Sequence, residues 1–371
     1  AEELNDDDID EVNNQLVPTV GTCGVMGTAS TMAITTEALG LMIPNSACAP
    51  AVSADRKRIA ENTGKIAVKI ANENLKPSIF LTEKNFLNAL MVLSSIGGST
   101  NGLVHLTAMA GRLGIKIDLG HFDKITKSLP MIVDLKPSGT GYMEDLYKAG
   151  GSQRIFYELR DFLYLDAKSV NGTSLGEEIK NSAKWSQNII TDKSNPVFNA
   201  GSIAVLKGSL APNSAIIKQS AATKSLLNHQ GRAVVFEGLE DLANRIDRDD
   251  LDVTKDDVLV LKSIGPKGGP GMPEAGLIPI PKKLARQGVK DMVRISDGRM
   301  SGTASGTIIL HVTPESYENG PLAIVQNGDI IKLDVPNRKI DLLISEKEIA
   351  ERIKKKIKKN IKRRGYNKIY M

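Results

Sequence analysis

Cysteine and histidine are nearly missing from this chain. Two cysteines in 371 residues, Cys23 and Cys48, cannot make a disulfide framework, which fits a reducing, cytoplasmic setting. The four histidines, His105, His121, His229 and His311, are scattered with no H-x-x-x-H spacing, which argues against a histidine-bound zinc. No apolar run reaches the length of a membrane span, and the opening AEELNDDDID is acidic, unlike a secretory signal. Internal repeats are lacking too, and the lysine-rich tail is the one low-complexity stretch.

What remains is ordinary for a globular protein: 41% apolar and 25% charged residues, in a length that allows two domains with sizeable cores. The net charge of +5 suggests nucleic acid, but its location argues otherwise. Residues 352–364 (RIKKKIKKNIKRR) hold nine basic residues and no acidic one, so the remainder carries −4. Ile349, Ile353, Ile357 and Ile361 recur every fourth position there, giving one apolar stripe on a helix with a solvated Lys/Arg face. Neither a nucleic-acid nor a membrane partner is expected. Because the chain opens on Ala and stops at Tyr370-Met371 without a closing turn, it reads as an internal piece of a longer enzyme.

The first part is rich in helical patterns. Helices are expected at 31–41, 55–74, 83–96, 101–113 and 122–129, followed by a strand at 131–134. From about residue 191 short apolar runs bounded by Gly, Pro, Asn and Asp dominate: 203–206, 215–217, 232–236, 257–261, 292–295 and 307–310. Two further strands are expected within 320–334, around an Asn327-Gly328-Asp329 hairpin turn. The expected class is α/β, with domains at 1–190 and 191–371.

Four stretches could carry chemistry. In Gly21-Thr-Cys23-Gly-Val-Met-Gly27-Thr-Ala-Ser-Thr-Met32, glycines let the backbone approach a bulky group, and small hydroxyl residues can cap a following helix. A thiolate held so suits an inorganic cofactor; the alternative is a buried structural cysteine in a tight turn. Gly265-Pro-Lys-Gly-Gly-Pro-Gly-Met-Pro273-Glu274 must be a loop of fixed shape, and Glu274 suits a hard cation such as Mg²⁺ or is simply a solvated loop glutamate. Asp297-Gly-Arg299-Met-Ser301-Gly302 also leaves a strand. It lacks the G-x-S-x-G pattern of a hydrolase, and Arg299 could grip a substrate carboxylate or lie at the surface. Gly97-Gly98-Ser99-Thr100-Asn101 ends one helix and begins another, and its N–H groups could receive an anion. His105 and Cys48 read as packed rather than ligating.

GTCGVMGTASTM, GGSTN, DLKPSG, GSLAPNSAIIK, GPKGGPGMPE and DGRMSGTASG occur here in order. From Val20 to about Tyr370 the chain resembles the family of dihydroxy-acid, sugar-acid (aldonate) and phosphogluconate dehydratases. That resemblance implies a helix-rich α/β first domain, present in part, and a β-rich, barrel-like second domain. It implies an iron–sulfur hydro-lyase with a nearby Mg²⁺, turning 2,3-dihydroxy carboxylates into 2-keto-3-deoxy acids. The expected cluster is [2Fe–2S], with [4Fe–4S] the alternative. Cys23 matches the last of three cluster cysteines, Glu274 a Mg²⁺ ligand, and Ser301 the base that removes the C2 proton. Arg299, Ser99 and Thr100 are expected near substrate. A nearby cation would make the serine alkoxide accessible, as it lowers a bound water's pKa from about 15.7 to about 7. A homodimer or dimer of dimers is expected.

In the family two further cluster cysteines and an Asp-Lys pair for Mg²⁺ precede the point where this sequence begins, so the piece alone is expected to be inactive. GTAST after Cys23 and GTASG after Ser301 look like the aldonate enzymes, whereas the branched-chain biosynthetic enzymes carry an aromatic-Thr-Ala-Asn and a Gly-Gly-Thr-Arg-Gly pattern. A sugar acid is therefore the favoured substrate and 2,3-dihydroxyisovalerate the alternative. A non-catalytic fragment or binding module on the same scaffold is the reading from a different class.

Overall fold

The structure is a computed structural model that describes residues 4–16, 20–182, 187–355 and 364–370. Among the described residues, ten helices make up the first part: α1 (Asp6–Gln15), α2 (Thr28–Ala38), α3 (Ala54–Asn72), α4 (Pro77–Phe80), α5 (Glu83–Ser95), α6 (Asn101–Arg112), α7 (Leu119–Ser128), α8 (Met143–Lys148), α9 (Gly151–Glu158) and α10 (Leu175–Ile179). The apolar α5 is buried along nearly its whole length and packs against α2, α6 and α7. The strand expected at 131–134 is reduced to isolated bridges, Met131 with Phe198 and Val133 with Ile190. α3 buries no residue outright, and Val68 on it is 62% exposed, so its apolar positions do not join this core.

The second part is a sheet of eight strands: β1 (Ile203–Leu206), β2 (Ser214–Lys218), β3 (Asn228–Phe236), β4 (Val258–Leu261), β5 (Arg294–Ser296), β6 (Ile308–Thr313), β7 (Ile330–Asp334) and β8 (Lys339–Leu342). Their spatial order is β1-β2-β6-β5-β4-β3-β7-β8, with β3 to β6 joined by parallel pairings and the outer pairs antiparallel. A bridge between Lys207 and Lys339 brings the two edges together, so the sheet curls into a barrel and hides its unpaired edges.

Alternation along the strands sorts side chains between two cores. Ala204, Leu206, Ala215, Ile217, Val260, Ile309 and Leu333 fill the barrel. Ile203, Val205 and Ile216, one position out of phase, pack instead into the helical core of the first part. The junction is also ionic: Asp123 on α7 accepts from Arg338 Nε at 2.8 Å and from the Val205 N–H at 3.1 Å.

Two expectations change here. Residues 321–324 form a 3₁₀ turn opened by Pro321, which has no N–H for a ladder. The hairpin partner of β7 is therefore β8, not a strand before Asn327. The basic helix is α11 (Glu346–Lys355), whose Ile349 and Ile353 pack on the barrel core; Ile357 and Ile361 lie outside the described residues. Among the described residues no helix is long and apolar enough to cross a membrane.

Two buried ionisable groups fix expectations for stability. Glu37 on α2 is 2% exposed, and its carboxylate accepts from the N–H groups of Asn45 and Ala47, Ser152 Oγ and Gln153 Nε2, at 2.7–2.9 Å. Burial pushes its carboxyl upward while these four donors pull it back. Glu37→Ala leaves all four unpaired and should cost at least about 3 kcal/mol in urea unfolding; a loss below about 1 kcal/mol would contradict this role. Lys218, at the end of β2, is 1% exposed with its Nζ unpartnered, and burial pushes its pKa down to about 7. The folded chain thus resists protonation that the unfolded chain accepts up to about pH 10.5. The penalty is complete below pH 7 and fades as pH rises to 10.5. Lys218→Met should therefore stabilise the chain at pH 7, with a smaller gain at pH 9.5. An equal gain at both pH values would show that the amine is not held uncharged.

Candidate active site

Strand ends and irregular backbone build the candidate site at the junction of the two parts. After β4 the Gly265–Glu274 loop is shaped from within by two carboxylates. Glu315 accepts from the N–H groups of Lys267 and Gly268 at 2.9 and 3.0 Å, and buried Asp297 accepts from Ile264 and Ser316 at 3.0 and 2.8 Å. A Cβ on Gly265 would sit 2.5 Å from Glu315 Oε2, so a side chain there would break the wrap. Burial pushes the Glu315 carboxyl upward against these donors. Ser263, Met272, Ile278 and His311 adopt left-handed backbone in or beside this region, a strain that clusters at functional sites.

The loop after β5 runs alongside. Ala275 bridges Met300, and the Gly276 N–H donates to the Arg299 carbonyl at 2.8 Å, which brings Glu274 next to Arg299 and Ser301 in the fold. Arg299 is committed to this arrangement: its Nε donates to the Met272 carbonyl at 2.6 Å, and its Nη1 lies 3.9 Å from Glu274 Oε1. Ser301 is half-buried. Its Oγ lies 2.9 Å from Thr303 Oγ1, and the Thr303 N–H points to it at 3.4 Å. Behind them His311 Nε2 is buried without a partner, and burial, with the Arg299 cation, pushes its pKa down to about 4. A neutral imidazole therefore stands behind the loop near pH 7.

The first part supplies the opposite wall. Cys23 is exposed, on a bent segment before α2 rather than on the helix itself. Its neighbours are pinned by the Met143 N–H to the Gly24 carbonyl at 2.8 Å and the Met26 N–H to the Lys136 carbonyl at 2.9 Å, so the DLKPSG turn supports the cysteine segment. Cys48 is 5% exposed and burial pushes its thiol up to about 12, the mark of an inert packed cysteine. His105 is half-buried on α6.

Contact between the walls is close. A Cβ on Gly302 would lie 2.6 Å from Ser99 Cβ and 2.8 Å from the Thr28 nitrogen, and one on Gly27 would lie 3.2 Å from Thr303 Cγ2. Ser99 and Thr100 are fully buried in this contact. Ser99 Oγ pairs with Thr28 Oγ1 at 2.9 Å, and the Ser99 N–H donates to Thr31 Oγ1. Asn101 completes it, reaching Glu274 Oε1 at 2.6 Å, Thr28 Oγ1 at 3.0 Å and the Met300 carbonyl at 3.1 Å from one amide nitrogen. Glu274, Arg299, Ser301 and Ser99 thus meet at one junction, with buried Thr100 next in sequence to Ser99 and Cys23 on the segment leading into it. Thr28, Asn101, Asp297, Thr303 and Glu315 were not singled out from sequence. Among the described residues no three His, Cys, Asp or Glu side chains form a metal-ready group.

The chain matches known proteins along nearly its whole length. Residues 1–178 match the dihydroxy-acid/6-phosphogluconate dehydratase N-terminal model, and residues 188–371 match the corresponding C-terminal model. The chain is 44% identical over 335 residues to an L-arabinonate dehydratase of Rhizobium leguminosarum bv. trifolii, covering 90% of this chain and 58% of the relative. It is 39% identical over 346 residues to a 6-deoxy-6-sulfo-D-gluconate dehydratase of Pseudomonas putida (92% and 60%). To a dihydroxy-acid dehydratase of Carboxydothermus hydrogenoformans it is 38% identical over 352 residues (94% and 63%). The chain spans about six-tenths of the length of these relatives. With both of the family's domains matched in order, the chain belongs to the dihydroxy-acid/6-phosphogluconate dehydratase family.

Proposed function

We propose that this chain carries the base-bearing loop and part of the cofactor-binding apparatus of a hydro-lyase that dehydrates a 2,3-dihydroxy carboxylate, with a sugar acid as substrate. The observation that carries the reading is the junction itself: Asn101 on α6 holds Glu274, the Met300 carbonyl and Thr28 together, and Gly302 and Thr303, next to Ser301, abut Gly27 and Thr28 in the segment that follows Cys23. Such interdomain clefts favour small-molecule sites.

The donor types fit the two groups the family implies. The exposed Cys23 thiol is a soft ligand suited to iron–sulfur, and the Glu274 carboxylate is a hard oxygen ligand suited to Mg²⁺. When bound, they would supply a Lewis acid for the departing hydroxyl and positive charge for the substrate carboxylate. Ser301 Oγ, as the alkoxide, takes the C2 proton; the C2–H electron pair forms the C2=C3 bond as the C3–O bond breaks, and the departing hydroxide takes that proton from Ser301 to leave as water, restoring the alkoxide. The enol so formed tautomerises to the 2-keto-3-deoxy acid. Thr303, through its hydroxyl and N–H, steadies the charge on Ser301 Oγ. Neutral His311 adds no positive charge behind the loop. Small hydroxyl residues in GTAST and GTASG suit a polyol tail better than a branched apolar one, and two of the three relatives above are named for sugar acids.

Two outcomes follow for the holoenzyme. Ser301→Ala should retain its iron–sulfur absorbance and lower kcat and kcat/KM together by more than tenfold, about 1.4 kcal/mol, while exchange of the substrate's C2 hydrogen with solvent disappears. Turnover within tenfold of wild type would remove serine as the base. Cys23→Ser should abolish the iron–sulfur absorbance and Cys48→Ser should leave it; equal bleaching by both would refute the ligand assignment.

A further inference from the structure

Among the described residues, the two fully buried asparagines other than Asn101 use both ends of the amide. Asn88 donates from Nδ2 to the Tyr164 carbonyl and accepts the Tyr164 N–H on Oδ1. Asn85 likewise donates to the Leu39 and Lys168 carbonyls and accepts the Thr82 N–H. Asn101 differs. Three acceptors converge on its Nδ2, while its Oδ1 is buried with no partner among the described residues. Leaving such an oxygen unpaired costs stability, as it also does at Gln153 and Asn171, and at Asn101 the compensation is the set of acceptors that its nitrogen gathers from three elements.

The acceptors fix how the amide is used. A carboxylate and a peptide carbonyl can only accept, so Glu274 Oε1 and the Met300 carbonyl take the two N–H bonds. The Thr28 hydroxyl can itself donate and is left to pair with Ser99. A flipped amide would set its oxygen 2.6 Å from a carboxylate oxygen. The Asn101 N–H to Ser99 Oγ, at 3.2 Å, anchors the residue in the turn that begins α6. Without this donor, Glu274 stands on a loop of Gly and Pro with its side chain 39% exposed, free to sample other rotamers.

We propose that Asn101 is a positioning residue: from the first domain it fixes both the Glu274 carboxylate and the main chain just before Ser301. One oxygen of Glu274 is thereby held against the amide and the other left for a cation, with Ser301 carried in the same register. This rests on the reading of Glu274 as a cation ligand.

The test uses the holoenzyme with Mn²⁺ as a spectroscopic probe for Mg²⁺. Asn101→Leu keeps the volume and removes the donor; its Mn²⁺ dissociation constant, from electron paramagnetic resonance titration, should rise about tenfold with iron content unchanged. Asn101→Asp keeps the shape and places a like charge against Glu274. Its kcat should be depressed at pH 8 and recover relative to wild type as pH falls and the shared proton restores a donor. A purely structural asparagine would leave Mn²⁺ affinity within twofold of wild type in Asn101→Leu and give Asn101→Asp a pH profile parallel to wild type; either result overturns the proposal. Mn²⁺ affinity unaltered by Glu274→Gln would bring down the ligand reading and this proposal together. A wild-type enzyme that binds Mn²⁺ but dehydrates no dihydroxy acid would count against the proposed function alone.

Discussion

The close approach of two backbones, with no side chain between them, is the constraint on which the site depends. Gly302 sits where any Cβ would meet Ser99 and the nitrogen of Thr28 inside van der Waals distance, and Ser99 in turn holds Thr28 through its hydroxyl. Because the loop can lie this close, a single amide on α6 reaches a carboxylate and a carbonyl from two different barrel loops. Sheet alternation makes the contact rigid: Ile203, Val205 and Ile216 commit one face of the barrel to the helical core, so the parts meet as packed bodies.

Carboxylates near the junction divide by task. Asp297 and Glu315 are buried, accept backbone N–H groups and give the glycine-rich loop its path. Glu274 is partly exposed, and among the described residues its close donor is a neutral amide, with the Arg299 cation 3.9 Å away. A buried acid already filled with peptide donors has little left to offer a ligand, whereas Glu274 keeps an oxygen in reserve. The same economy separates the cysteines: Cys48 is sealed and hard to ionise, Cys23 is open.

Much of this was legible in the sequence because glycine, proline and apolar periodicity act locally. The strands at 203–206 and 215–217, the helices around 54–72 and 83–95, and the Gly/Pro loop ending at Glu274 all declared themselves by spacing. The 3₁₀ turn at Pro321 did not, because the Asn327-Gly328-Asp329 turn signal is equally good at leading from a 3₁₀ turn into β7. Asn101 was hidden for another reason. It stands 173 positions from the carboxylate it holds, and at that distance an asparagine opening a helix looks like a cap. Thr303 passed as one of several small residues in GTASG until its hydroxyl was seen against Ser301.

The central claim is that the C2 hydrogen and the C3 hydroxyl of a sugar acid are removed at this junction, through an enol released to solvent protonation. Proton NMR of the holoenzyme acting on an aldonate in deuterium oxide follows both carbons at once. The account predicts a 2-keto-3-deoxy acid carrying one deuterium at C3. Product with no deuterium at C3, as in direct transfer of hydrogen from C2, or no keto acid at all, would contradict it.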